Sequence, residues 1–274
     1  KKIEKDINKK NIFIFGDSFT YGVGIEFEKT YVGLLTENLK YYNIYNFGVG
    51  SYSPSVHLYK LKQVLNKNLK PSKIILFLDL TDVIDEANRW NFDEKNETVM
   101  LSTNFLYKEF NKKKSFSEKN FKLSKNISSY LNFNLRNLRE KTNIRIKDKR
   151  KIKTSIQGSF TYTAVKKLDQ RFWKKNTFTK GLNLIEKRLK QISKVAKKNN
   201  SEFYVVIYPW AETLEFGQQK FNWSYFVNSI CDKGTCKLID AIPAFNDYKN
   251  KDIDWSTELY FLNDEHFNEK GANL

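Results

Sequence analysis

The chain has 274 residues, 48 Lys and Arg against 31 Asp and Glu, and a formal net charge of +17. With 40% hydrophobic and 15% aromatic residues it can build a core, which excludes a disordered chain, a collagen-like chain and a disulfide-stapled miniprotein. No apolar run approaches the roughly 18 residues that span a bilayer, and the length suits one large α/β domain or two small ones.

The first predicted strand is Asn11 to Phe15, a continuous apolar run ending at Gly16-Asp17-Ser18. An amphipathic stretch from Lys29 to Leu39 follows. Tyr42 to Phe47 reads as a second strand, ending at Gly48-Val49-Gly50-Ser51. After Pro54, the apolar residues Val56, Leu58, Leu61, Val64 and Leu65 recur at helical spacing. Pro71-Ser72 breaks that pattern, and Lys73 to Leu80 is a third buried strand. Between Ala87 and about Gly181 the alternation of strand and helix fails: the segment is rich in Lys, Asn and Phe, has amphipathic patches such as Phe121 to Leu138, and carries no regular strand signal. A structureless loop of that length does not suit a compact domain, so 87–181 is expected to be an insertion with its own helices, a basic lid or subdomain. Helical spacing returns over 182–199. Glu202 to Tyr208, stopped by Pro209, and Lys237 to Ile242 are the fourth and fifth strands.

Short continuous apolar strands alternating with helices predict a parallel sheet covered on both faces. The expected architecture is a three-layer α/β/α sheet of about five strands, built from 1–86 and 182–274 and interrupted by the insertion. In such sheets ligands bind at the carboxyl ends of the strands. Here those ends carry Asp17-Ser18, Gly50-Ser51, Asp79 to Asp82 and Pro209-Trp210.

Ser18 is either a helix cap, a position Ser and Asp favour, or a nucleophile exposed at the sheet edge. A serine nucleophile needs a base, usually His. The chain has two histidines. His57 lies within a helical pattern and reads as structural. His266 lies in Asn263-Asp264-Glu265-His266, where Asp264 is placed to orient and stabilise its imidazolium. Asp79, Asp82, Asp85 and Glu86 either line a cleft or sit at a solvated helix start. Trp210 either stacks on a sugar ring at a cleft rim or simply packs.

Taken together, these residues resemble the SGNH (GDSL) hydrolase and acyltransferase superfamily over about 1–86 and 200–274. Gly16-Asp17-Ser18 is similar to its first block, Asn46 to Ser51 to its second, Asp79-Leu80-Thr81-Asp82 stands at its third (Gly-x-Asn-Asp), and Asp264-Glu265-His266 at its last. The resemblance implies a flavodoxin-like fold, no cofactor, no metal, and acyl transfer through an acyl-serine: Ser18 as nucleophile, His266 as base, Asp264 as its orienting acid. Backbone N–H groups of Ser18 and of Gly50 or Ser51, with help from Thr81, would bind the oxyanion. Thr81 stands where the family has Asn, with a shorter side chain. The Asp-x-His spacing is similar to the branch of alginate O-acetyltransferase-like proteins, which implies a carbohydrate or other acyl-ester substrate at the cell surface.

Cys231 and Cys236 are the only cysteines, too few with two histidines for a Cys/His zinc site. A turn containing Gly234 can join them as a disulfide, which would fit an oxidising, extracytoplasmic location; the other reading is two independent thiols. Position 1 is Lys, which leaves room for a signal peptide or anchor before it, and the Lys-, Asn- and Ile-rich composition with four Pro points to a low-GC bacterium.

The charge is concentrated. Residues 101–200 hold 28 basic and 6 acidic residues, a net of +22, while the remainder is slightly acidic. Lys147 to Lys153 is a dense run, interleaved with aromatics elsewhere at Phe105, Tyr107, Phe110, Phe116, Phe121, Tyr130 and Phe133. Such a segment suits an anionic glycan or a membrane surface. Nucleic-acid binding by phosphate contact is the disfavoured partner reading, since no nucleic-acid motif is present. The functional expectations are therefore a serine esterase or O-acyltransferase, with a catalytically weakened glycan-binding or assembly module and a basic nucleic-acid-binding protein as alternatives.

Overall fold

The computed structural model describes residues 6, 8–103, 177–218, 221–251, 254–262 and 264–274. Five strands, β1 (Lys10–Phe15), β2 (Tyr42–Asn46), β3 (Pro71–Leu78), β6 (Glu202–Ile207) and β7 (Lys237–Asp240), form one parallel sheet in the order β2-β1-β3-β6-β7. A separate antiparallel hairpin pairs β4 (Trp90–Asp93) with β5 (Thr98–Leu101). The sheet order is that of a doubly wound, flavodoxin-like fold, whose switch point lies between β1 and β3.

The two-residue period of β1 explains the layers. Phe13 and Phe15 point to one face, where they meet Leu58, Leu61 and Val64 of α3 (Pro54–Leu65), Ile185, Leu189 and Ile192 of α4 (Thr177–Lys198), and Val227 of α6 (Trp223–Ile230). Ile12 and Ile14 point to the other, against Val32 and Leu35 of α2 (Tyr31–Asn38). Further along that second face, Phe19, Tyr208, Phe245, Trp255, Leu259 and Phe267 form an aromatic cluster with α7 (Ile242–Lys251) and α8 (Trp255–Leu259). β1, β3 and β6 are buried on both faces, which is why their sequences are continuous apolar runs. Among the described residues no helix is long and apolar enough to cross a membrane.

The structure corrects two sequence expectations. β3 begins at Pro71 and ends at Leu78, so Asp79 and Leu80 belong to the loop beyond it. Pro71 starts the strand, where a missing N–H is tolerated. The stretch after Ala87 does contain strands, the β4–β5 hairpin; its four-residue strands and half-exposed residues were too short for a period-two signal. Among the described residues helix α4 spans Thr177–Lys198. The expected helices of the insertion, the Phe121 to Leu138 patch, the Lys147 to Lys153 run and the interleaved aromatics lie outside the described residues.

Candidate active site

The end of β1 leads into a sharp turn. Asp17 caps the short helix α1 (Ser18–Tyr21): its Oδ1 accepts from Phe19 N–H at 2.9 Å. Gly22 closes α1 with φ of +84°, a left-handed conformation suited to glycine. Ser18, at the first helical position, is partly exposed while both flanking residues are buried. The loop after β2 lies on this turn. Asn46 Nδ2 donates to Thr20 O at 2.9 Å and Asn46 Oδ1 accepts from Gly48 N–H at 2.8 Å. Gly48 approaches the α1 backbone so closely that a Cβ there would stand 2.6 Å from Tyr21 N, so no larger residue fits.

His266 arrives from the far end of the chain. An antiparallel bridge between Tyr260 and Phe267 brackets it, and Phe261 N–H donates to His266 O at 3.0 Å. Its ring packs on Phe19 with centroids 4.8 Å apart. Nε2 lies 2.7 Å from Ser18 Oγ, and Nδ1 lies 2.5 Å from Asp264 Oδ1. The same carboxylate oxygen accepts from His266 backbone N–H at 3.1 Å, so a tight local turn fixes the acid to the imidazole. That turn is how an Asp-x-His spacing delivers the carboxylate to Nδ1. The three sequence candidates thus form one hydrogen-bonded chain from hydroxyl to imidazole to carboxylate. Ligand atoms of Asp264, Glu265 and His266 lie within 4.8 Å of one another, but the imidazole nitrogens are already engaged with Asp264 and Ser18, an arrangement suited to moving a proton.

Of the proposed oxyanion donors, Gly50 is beside the nucleophile: a Cβ built on it would meet Ser18 Cβ at 3.7 Å. Ser51, next to it, is held with φ of +63°. Thr81 is turned elsewhere, a correction to its expected role. Its hydroxyl and its N–H both donate to Asp79 Oδ1, at 2.5 and 2.7 Å, so its hydroxyl proton is not directed at a substrate oxygen.

The acidic residues are a second correction. Asp17, Asp79 and Asp82 do not line an open cleft, nor do they form a solvated helix start; they are buried, Asp79 completely. Tyr208 OH donates to Asp17 Oδ1 at 3.1 Å and faces Asp79 Oδ2 at 3.4 Å. Asp79 N–H donates to Asp82 Oδ2 at 3.0 Å. Burial, and then the charge of Asp79, push Asp17 well above the usual carboxylate range, and Asp82 rises for the same reasons. Trp210 belongs to this network and is not a free stacking platform: its Nε1 donates to Asp79 Oδ2 at 2.6 Å, and its ring packs near Phe19. Tyr208 is the participant that sequence reasoning missed; only its place at the end of β6 could have suggested it. His57 is buried and held neutral, its pKa lowered by burial to about 3.

Cys231 and Cys236 are bonded, with S–S at 2.09 Å. Cys231 is buried at the end of α6, so the pair anchors the turn at Gly234 to the core and is not wholly a surface loop.

No protein-family model and no curated protein matches the chain. Several solved structures are similar to it. A member of the lipolytic protein G-D-S-L family from Veillonella parvula is 12% identical, with 96% of this chain and 92% of that chain covered and a TM-score of 0.44. LAE5, an alpha/beta hydrolase enzyme from the metagenome of Lake Arreo, is 13% identical, covering 96% and 90% with a TM-score of 0.47. The psychrotrophic esterase EstA from Pseudoalteromonas is 12% identical, covering 97% and 91% with a TM-score of 0.43.

Proposed function

We propose that this chain is an SGNH-type serine esterase or O-acyltransferase that works through an acyl-Ser18 intermediate. The observation that carries this reading is the Ser18–His266–Asp264 hydrogen-bonded chain at the carboxyl ends of the strands. His266 Nε2 takes the Ser18 proton as Oγ attacks the ester carbonyl, and Asp264 holds the ring and stabilises the imidazolium. Backbone N–H groups of Ser18 and of Gly50 or Ser51 would bind the developing oxyanion, where such donors act most strongly. Collapse of the tetrahedral intermediate releases the alcohol, protonated by His266. Water or an acceptor hydroxyl, activated by the same imidazole, then takes the acyl group.

The finer reading is transfer or removal of an acetyl group on a cell-surface carbohydrate, outside the cytoplasm. The Cys231–Cys236 bond supports an oxidising compartment, and the basic 101–200 segment suits an anionic glycan or a membrane surface. A second reading, a weakened glycan-binding or assembly module, is favoured by one observation: the Thr81 hydroxyl is engaged with Asp79 and supplies no third oxyanion donor. Incubation with a fluorophosphonate separates the two. The enzyme reading expects one covalent adduct, mapped by mass spectrometry to Ser18 and lost in His266→Ala. An absent adduct contradicts it.

A further inference from the structure

The loop that carries Gly50 leads into α3 and is contacted by Trp90 and Glu86. Ser51 sits in a left-handed conformation, φ +63°, that costs a non-glycine residue energy and persists only where its surroundings enforce it. One contact reaches Ser51 itself, and a second set gathers the residues that follow it. Trp90, the first residue of β4, donates its indole Nε1–H to Ser51 O at 2.9 Å, and its ring meets Tyr52 edge-on at 5.7 Å. Glu86, 1% exposed, gathers the start of α3: Oε1 accepts from Ser53 Oγ at 2.7 Å and from Ser55 N–H at 2.5 Å, and Oε2 accepts from Ser55 Oγ at 2.7 Å. Ser53 itself makes no side-chain cap for α3, so Glu86 does that work from a distant turn. Behind it, the buried Arg188 of α4 donates Nε–H to Ser55 Oγ at 2.8 Å and stacks 4.3 Å over Phe92 of the hairpin. A buried carboxylate satisfied by three donors, with a buried guanidinium next in line, is a costly arrangement to assemble and a rigid one once formed.

We infer that Trp90 and Glu86 are positioning residues that fix the Ser51 turn and so aim the backbone N–H of Gly50 or Ser51 at the oxyanion of the Ser18 reaction. This rests on the esterase reading above. A donor that acts only in the transition state raises kcat and leaves KM alone, and a donor moved off its aim loses part of the roughly 10²–10³ that removal of one would cost.

The test pairs steady-state hydrolysis of p-nitrophenyl acetate with amide hydrogen exchange over residues 49–53. Trp90→Phe keeps an aromatic side chain but loses the indole N–H and the pyrrole half of the ring; Glu86→Gln keeps an acceptor for Ser55 N–H and weakens the others. Both variants are expected to lose on the order of tenfold in kcat with KM within about twofold, and to exchange faster at 49–53. Unchanged kcat in both variants, or a loss confined to KM, overturns the inference, and so does exchange at 49–53 equal to the wild type. A wild-type rate that Ser18→Ala leaves intact contradicts the esterase reading itself, and amide exchange then still reports whether the clamp exists.

Discussion

His266 Nε2 lies 2.7 Å from Ser18 Oγ although 248 positions separate the two residues. Ser18 is set by the β1 turn and the Asp17 cap, His266 by the bridge at Phe267 and the packing of its ring on Phe19. The pairing is a product of the tertiary fold, and its reach to Asp264 Oδ1 completes an unbroken hydrogen-bonded chain from hydroxyl to carboxylate.

Asp264→Asn tests the far end of that chain. An amide can still accept the His266 backbone N–H, so the turn survives, but it removes the charge that stabilises the imidazolium and lets the wrong tautomer form. Ester hydrolysis is expected to fall by about 10³–10⁴ in kcat. A loss below tenfold would mean that the carboxylate serves the loop and not the imidazole.

Thr81→Val tests the corrected oxyanion assignment. Because the hydroxyl is engaged with Asp79, its removal is expected to lower kcat by less than about tenfold, far short of the roughly 10²–10³ of a true oxyanion donor. The cost should appear in stability, on the order of 1 kcal/mol for one hydrogen bond lost to a buried carboxylate. Parallel kinetic and thermal measurements on the variant distinguish these outcomes.

The buried carboxyls predict a pH dependence of stability. Burial, then the charges of Asp79 and Asp17, raise Asp82 well above its ordinary value, and burial raises nearby Asp85 to about 6. A raised acid holds its proton in the folded state at a pH where the unfolded chain has released it. Its contribution to stability is therefore present below the unfolded value of about 4 and is lost as pH rises through the folded value. Asp82→Asn removes that loss and keeps an acceptor for Asp79 N–H. The thermal midpoint of the variant is expected to exceed that of the wild type at pH 8, with the difference shrinking toward pH 4. Each 1 kcal/mol corresponds to roughly 2–4 °C for a chain of this size. A difference independent of pH would contradict this.

Removing the disulfide by Cys231→Ser with Cys236→Ser opens a short loop. In the chain-entropy account this costs about 2 kcal/mol, and the pair lies outside the hydrogen-bonded chain of Ser18. Differential scanning calorimetry should show a lower midpoint, and turnover measured well below it should be unchanged.

The parts of this molecule legible in the sequence are those set by local pattern. β1 is an uninterrupted apolar run because both of its faces are buried, and the Asp17-Ser18 turn and the Asp264-x-His266 spacing name the two ends of the hydrogen-bonded chain. What could not be read depends on contacts across the fold. The Trp90 hairpin is too short to announce itself, and the Glu86–Ser55–Arg188 network joins residues up to 133 positions apart. Asp79 read equally as a cleft residue or a helix-start acid, and Trp210 as a cleft or a packing residue, because a strand end carries no local sign of its surroundings; here Tyr208, Thr81 and each other hold them.

Release of p-nitrophenol from p-nitrophenyl acetate, compared between the wild-type protein and Ser18→Ala, tests the central claim most directly. The account predicts a wild-type rate above the uncatalysed one and a loss of at least about 10³-fold on removing the hydroxyl. Equal rates for the two proteins would show that Ser18 is not the nucleophile.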